Sequence, residues 1–519
     1  MIAASQAWKN VQERFILPEG YLEITCAITE TGAQESVSAM APDEESYSRL
    51  TNAIAPGGVT PANKYATNEL NLWSLDGSMS VFPDNWPNDV GYVSEIGDGT
   101  GIIILALQEV RTVAIPGITI TWSSEHGEYP TSFKVYAYND GGVIAEKTVT
   151  GNKDVVSIVD MELVNYNLIA IEVLEWCLPY RRLRMERAAL GHILTLNKGE
   201  ILSFTHEQHG DLNSGELPKN SVQFSFDNID GRWNPANPVG MEKYLSERQK
   251  VTVRYGFDIS GSIEWVDAGV FYLSEWRAPA NGLEATFSAR DVLEYLLNTP
   301  YTGITSGTLK ALAEAAMAAA DVPADVGVVF DEHLGSYTGT IQMGEGEKLT
   351  CAEVLQMCAN AASCVIFQDR KGALHIERLN PEDSGYTISS NLSYAHPEVD
   401  LSKPLKSVSV SYGDNTHTLS VDTAGETQTV NNPLVSTSTQ AAEIAEWVRD
   451  TLVARKSLSG EYRADPRLDL FDIVQVESKY GVISPVAITH IKYDYNGAFV
   501  GSYTGRLISE EGYIARSGN

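Results

Sequence analysis

The sequence predicts a mainly β, multidomain chain with a small α+β part. Three observations predict it: the length, short period-two segments separated by turn residues through the first 300 positions, and helical spacing concentrated after Arg290. A chain of 519 residues exceeds one core and should divide into about three or four domains. Hydrophobic content of 43% with 20% charged residues suits a folded, soluble chain.

Charge and cysteine usage exclude several function classes. The net charge of −31, from 37 basic and 68 acidic residues, repels phosphates, so no sequence-specific nucleic-acid partner is expected. No apolar run approaches the roughly 20 residues that cross a bilayer, and MIAASQAWKNVQERF lacks the basic flank and apolar core of a signal peptide. The expectation is synthesis and assembly in a cytoplasm with no membrane span. Cys26, Cys177, Cys351, Cys358 and Cys364 form no CxxC pair, so buried thiols are expected rather than zinc or disulfides.

Tyr21–Ile28 reads as a first strand whose partners come only after residue 192. Strands are then expected at Ile102–Leu107, Ile118–Trp122, Ser132–Tyr138, Val143–Val149, Val155–Val159 and Leu168–Leu174, a spacing that suggests a β-sandwich. In YRRLRMER (180–187), alternation separates Arg182 and Arg184 from Arg181 and favours ion pairing over phosphate binding. Further strands are expected at Ile201–Thr205, Val222–Phe226, Val251–Tyr255, Val270–Trp276 and Glu284–Ala289, followed by a short helix over Arg290–Leu297.

The segment LPKNSVQFSFDNIDGRWNPANPVGMEKYLSERQKVTVRYG (217–256) is scaffold-like. Asp227, Asp230 and Gly231 supply turn chemistry, Pro235 and Pro238 fix φ, and Trp233 stands between them. His206, His209 and Asp211 offer an HxxH spacing without further anchors, which reads as a solvent-facing pair, and no metal or cofactor is expected.

Ser306 is expected to cap a helix through Leu309, Leu312, Ala316 and Ala319. Thr350 with Glu353 forms a capping box for a second helix bearing Ala352, Leu355, Ala359 and Ala362. A hairpin over 364–379 turns at Lys371-Gly372, and neither Asp369 nor His375 is assigned a catalytic role. A helix from Ser438 to Lys456 should lay Ala441, Ile444, Ala445, Val448 and Leu452 across a sheet. The last strands are expected at Val408–Tyr412, Ile473–Val476, Val486–Tyr493 and Tyr503–Ile508. Asp465, Pro466 and Asp469 lie in a turn with Asp472, where capping suits the carboxylates better than a glycosidase pair.

The phrases at 65–78, 180–191, 217–240, 244–256 and 464–476, in that order, resemble the baseplate hub, or tail-associated, proteins of tailed phages and phage-derived injection devices. YATNELNLWSLDGS (65–78), YPTSFKVYAYNDGG (129–142) and VNYNLIAIEVLEWCLPYRRLRM (164–185) resemble a galactose-binding-like, discoidin-type jelly roll. The two resemblances imply an N-terminal arm and first barrel strand over 1–50, the jelly-roll β-sandwich insert over 51–189, a first hub β-barrel over 190–300, a small α+β domain over 301–399 and a second barrel over 400–519.

They further imply a non-enzymatic structural role as a homotrimeric ring closing the tail tube at the virion tail tip, assembled in the host bacterial cytoplasm. Implied partners are the distal tail or tail tube protein, the tape-measure protein and receptor-binding or fibre proteins, with peptidoglycan cleavage left to another chain. The insert's implied contact is a host surface glycan through Trp73, Tyr92, Trp122, His126 and Tyr129. Core packing is the competing role, favoured for Trp73 and Trp122. A carbohydrate-binding adhesion protein and a tail-associated glycan-degrading enzyme are the alternatives.

Overall fold

A computed structural model describes residues 1–14, 19–30, 37–40, 46–47, 92–93, 101–124, 126–179, 183–237, 240–279, 283–323, 325–341, 348–379, 384–508 and 513–515. The fold is mainly β with α+β parts. It divides into two compact units, one of Met1–Ile24, Leu196–Ile229 and Val251–Asn519, the other of Thr25–Thr195 and Asp230–Lys250.

Within the first unit, hydrogen-bonded neighbours run from Glu398–Leu401 through Lys456–Tyr462, Phe499–Leu507, Gly481–Tyr495, Ile201–His209, Lys219–Asp227, Glu284–Arg290, Ser262–Arg277 and Lys250–Ile259 to the start of Gly20–Thr29. Alternation explains the core they share. Asn220, Val222, Phe224 and Phe226 turn inward while Ser221, Gln223 and Ser225 do not. Register sets Phe224 between Phe204 and Phe287, and Phe226 meets Phe287 edge-on at 5.0 Å. Each such buried ring contributes roughly 1.5–3 kcal/mol.

A second apolar core in this unit lies under the helices Leu309–Ala319, Cys351–Ala361 and Ser438–Leu452. The Ser438–Leu452 helix buries Ala441, Ile444, Ala445 and Val448 in the core that also holds Leu312, Leu355, Ile376, Val408 and Val410. Its sheet is the three-stranded Asn415–Ser420, Leu405–Tyr412, Glu426–Val430. Thr350 and Glu353 make the reciprocal capping box that the sequence predicts. The hairpin forms as expected from Val365–Gln368 and Leu374–Glu377, with Gly372 at φ 92° in its turn.

Three helix boundaries differ from expectation. Ser306 is no cap, because it lies in the strand Ser306–Thr308 with its Oγ 3.1 Å from Thr340 Oγ1. Thr308 caps instead, accepting from Ala311 N. The helix expected from Arg290 begins only at Leu293, since Arg290 ends a strand and the Asp291 carboxylate accepts from Leu293 N. The helix expected to reach Lys456 stops at Leu452, and Lys456 opens a strand.

In the second unit, one sheet orders Ser46–Tyr47, Val37–Met40, Gly101–Arg111, Tyr166–Trp176, Pro130–Asn139 and Gly142–Thr150. The other places the end of Gly20–Thr29 beside Arg187–Asn197, Ile115–Thr121 and Val156–Leu163. Both sheets feed one core through Leu105, Phe133, Val135, Ile171, Ile118, Val159 and Leu190, which makes this unit a β-sandwich. All six strands expected between Ile102 and Leu174 are present, each a little longer than its pattern. Cys26, Cys351, Cys358 and Cys364 are buried, Cys177 is half-buried, and none of the five is in a disulfide; burial pushes the Cys26 and Cys358 thiols up to about 12. Among the described residues no helix is long and apolar enough to cross a membrane.

Candidate functional site

Three of the sequence-predicted ligand residues, Trp122, His126 and Tyr129, lie on the connection between the strands Ile115–Thr121 and Pro130–Asn139. Trp122 follows Ile115–Thr121, Tyr129 precedes Pro130–Asn139, and Cys177 N donates to Tyr129 O at 2.9 Å. Tyr92 lies in a two-residue strand paired with Arg184–Met185, opposite Met185. Trp73, Arg181 and Arg182 lie outside the described residues.

Trp122 cannot stack on a sugar. It is completely enclosed, its Nε1 donates to Ser157 Oγ at 2.9 Å, and its ring meets Phe133 and Trp176 edge-on at 5.2 and 6.1 Å. His126 is half-buried with Nδ1 3.1 Å from Ser123 Oγ. Tyr129 is half-buried against the same core and donates its backbone N–H to Cys177 Sγ. Arg184, almost wholly buried, lies 3.6 Å from Glu128, whose Oε2 also accepts from Trp176 Nε1 at 3.0 Å. Inside a sandwich such a pair is costly to break from either side.

The 227–240 segment is a chain of side-chain-to-backbone turns. Asp227 accepts from Ile229 N at 2.9 Å, while Asp230 accepts from Arg232 N at 3.1 Å and Arg232 Nε at 2.5 Å. Gly231 sits at φ 67°, Trp233 is buried, and Met241 N returns to Arg232 O. Pro235 falls in a turn, and Pro238 lies outside the described residues.

A heavily bonded polar site in the first unit centres on Arg370, at the tip of the hairpin. Asp369 shapes that tip by accepting from Lys371 N at 2.9 Å and Ala373 N at 2.8 Å. His375 braces it, with Nε2 3.4 Å from Asp369 Oδ2, Nδ1 2.9 Å from Glu377 Oε2 and its ring stacked on Phe367. Hydrogen bonds from the ring to the Asp369 and Glu377 carboxylates outweigh burial and hold this imidazole above its usual pKa.

The Arg370 guanidinium then donates to Asp469 Oδ2 at 3.2 Å, Leu468 O at 2.7 Å, Asp267 O at 3.1 Å and Pro466 O. Burial works against its charge, but Asp469 and the surrounding groups more than offset that and keep it protonated. Asp469 also accepts from Gln208 Nε2 at 2.9 Å, and Tyr493 donates to Leu468 O at 2.8 Å. Beside them Asp465 takes Arg467 in a fork, Nε at 3.0 Å and Nη2 at 2.5 Å. Asp472 pairs with the N-terminal ammonium, and Phe471 holds φ 64°, an uncommon conformation for a bulky residue.

Sequence reasoning misplaced His206. It is completely buried, with Nδ1 2.7 Å from Tyr255 Oη and Nε2 2.9 Å from Asn220 Oδ1, so both ring nitrogens are occupied. Burial lowers its pKa to about 4. Its phase with Phe204 and Gln208 on one strand face was the available signal. Arg370 was missed outright, because three of its four acceptors are backbone carbonyls remote in sequence.

Each carboxylate of the 465–472 turn has a charged partner. Asp465, Asp469 and Asp472 are each engaged by a cation, whereas glycoside cleavage needs one carboxyl free to donate a proton and another free to attack or to activate water.

No known protein family matches the sequence, and no curated protein matches it. Solved structures similar to the chain include a 43 kDa prophage MuSo2 tail protein from Shewanella oneidensis, at 14% identity and TM-score 0.42, covering 61% of this chain and 95% of that one. A tail protein from Neisseria meningitidis is similar at 13% identity and TM-score 0.43, covering 61% and 94%. A prophage tail protein from Listeria monocytogenes is similar at 12% identity and TM-score 0.39, covering 61% and 91%.

Proposed function

We propose that the chain is a structural baseplate hub at the tail tip of a phage or phage-derived particle, without catalytic activity, and that it closes the tail tube as a trimeric ring. The observation that carries this reading is the pairing of Ile201–His209 with Gly481–Tyr495, from Phe204 opposite Tyr495 to His209 opposite His490. Strands 280 residues apart become one wall, with Arg370 fastening the intervening α+β region to the 465–469 turn. Continuity of this kind suits a component that transmits load.

The end of the strand path among the described residues supports assembly. Glu398–Leu401 ends the strand path with all four residues exposed, Leu401 at 65%. Unpaired edges invite association, and ring closure covers them in a defined way. The proposed partners are the tail tube or distal tail protein, the tape-measure protein and receptor-binding or fibre proteins. The sandwich is read as a galactose-binding-like insert. Expected over 51–189, it also takes in Val37–Met40 and Ser46–Tyr47, which pair into its larger sheet. Tyr92, His126 and Tyr129 are its remaining described candidate residues for a host glycan.

An adhesion protein would also use a sandwich, and a glycan-degrading tail enzyme would also face the host. The interlocked wall favours the hub over the first, and the cation-engaged carboxylates favour it over the second. Electron micrographs of the purified full chain should show particles with threefold symmetry; single small particles at every concentration contradict the hub reading.

A further inference from the structure

The outward face of the larger sheet in the sandwich is aromatic. Along Pro130–Asn139, Phe133, Val135 and Ala137 enter the core, which leaves Lys134, Tyr136 and Tyr138 on the opposite face. The neighbouring strands continue that face. Ala170 and Leu168 lie opposite Tyr136 and Tyr138 on one side, and Glu146 lies opposite Tyr136 on the other. The two rings are 6.3 Å apart and inclined by 41°, a shallow V standing over small and aliphatic neighbours.

Polar groups flank the Tyr136 ring. Tyr136 Oη donates to Glu172 Oε2 at 2.9 Å, and Lys134 Nζ stands 6.0 Å from the Tyr136 ring centre. Ile144 and Leu174, on flanking strands, are 44% and 40% exposed. A face that served only solubility would carry charged residues at these positions, as the chain does abundantly elsewhere.

We propose that Tyr136 and Tyr138 form a binding platform for an uncharged polysaccharide. Pyranose rings present apolar C–H faces that stack on aromatic rings and hydroxyl edges that bond carboxylates and ammonium groups, which is the combination at this face. The net charge of −31 disfavours an acidic glycan. The platform shares the host-glycan reading of this unit but lies on the sheet face, apart from the loop residues His126 and Tyr129.

Affinity electrophoresis of the full chain through gels containing galactomannan, dextran, laminarin or a neutral O-antigen polysaccharide tests it. The wild type should be retarded in at least one gel. Tyr136→Ala and Tyr138→Ala should each weaken retardation about 10- to 100-fold. Tyr136→Phe, which keeps the ring, should retain most of it, and Tyr129→Ala separates the platform from the loop, since loss at Tyr129 alone would place the ligand at the loop. In wild-type protein, hydrogen exchange should slow over residues 132–138 on adding the retarding polysaccharide and stay unchanged over 126–129, a readout independent of whether any variant folds. No retardation in any gel, unchanged binding by both alanine variants, or loss and protection confined to Tyr129 and its loop would overturn the platform. The last result would leave the loop reading standing, and the hub reading is independent of all three.

Discussion

Arg370 and Asp469, 99 positions apart, meet at 3.2 Å with the guanidinium almost entirely out of water. One hairpin tip is thereby tied to a turn whose neighbouring strands belong to the continuous wall.

Replacing Arg370 by Met should cost roughly 3–5 kcal/mol, because Asp469 and the carbonyls of Pro466, Leu468 and Asp267 would be left without their donor. Denaturant unfolding measures it. Asp469→Asn should also destabilise, and the two changes together should cost less than their sum. Strict additivity would show that the residues are not coupled.

His206 should make stability fall in mild acid. Its imidazole is lowered from 6.5 to about 4, so between those values the unfolded chain binds a proton that the folded chain refuses. The stability lost as pH falls through that window should be on the order of 3 kcal/mol. Full stability from this residue is present above about pH 6.5. In His206→Gln the unfolding free energy should depend less steeply on pH between 4 and 6.5 than in the wild type, and equal slopes would refute the assignment.

Thr350→Ala should destabilise by about 1 kcal/mol, since Glu353 N loses its side-chain acceptor, although the Glu353 carboxylate can still take the backbone N–H at position 350. Thermal unfolding checks this, and Ser306→Ala supplies the contrast. Ser306 caps nothing, so its loss should be within a few tenths of a kcal/mol; a larger cost than at Thr350 would reverse the boundary.

Trp122→Ala should cost roughly 3–5 kcal/mol of sandwich stability, because a fully enclosed indole leaves a cavity and an unmatched Ser157 hydroxyl. Calorimetry should show the loss with no glycan present. An unchanged melting temperature would return Trp122 to the candidate ligand residues.

What the sequence revealed and what it hid follow one physical division. Phe133, Val135 and Ala137 alternate with polar or amphipathic neighbours, and Thr350 precedes Glu353 by three, so these features are written within a few residues. His206 depends on Tyr255, 49 positions away, and Arg370 on carbonyls about 100 positions away. Such bonds leave no local periodicity. Ser306 misled because capping propensity is blind to the strand partner, Thr340, that claims it. Trp122 was read both ways because composition alone does not distinguish an aromatic at a strand end from one in a loop.

Native mass spectrometry of the full-length chain tests the hub reading most directly. The account predicts a trimer of the 56.6 kDa subunit, dissociating when the exposed edge strand is blocked by Val399→Pro. Monomers alone at high concentration and in the presence of tail tube protein would contradict it.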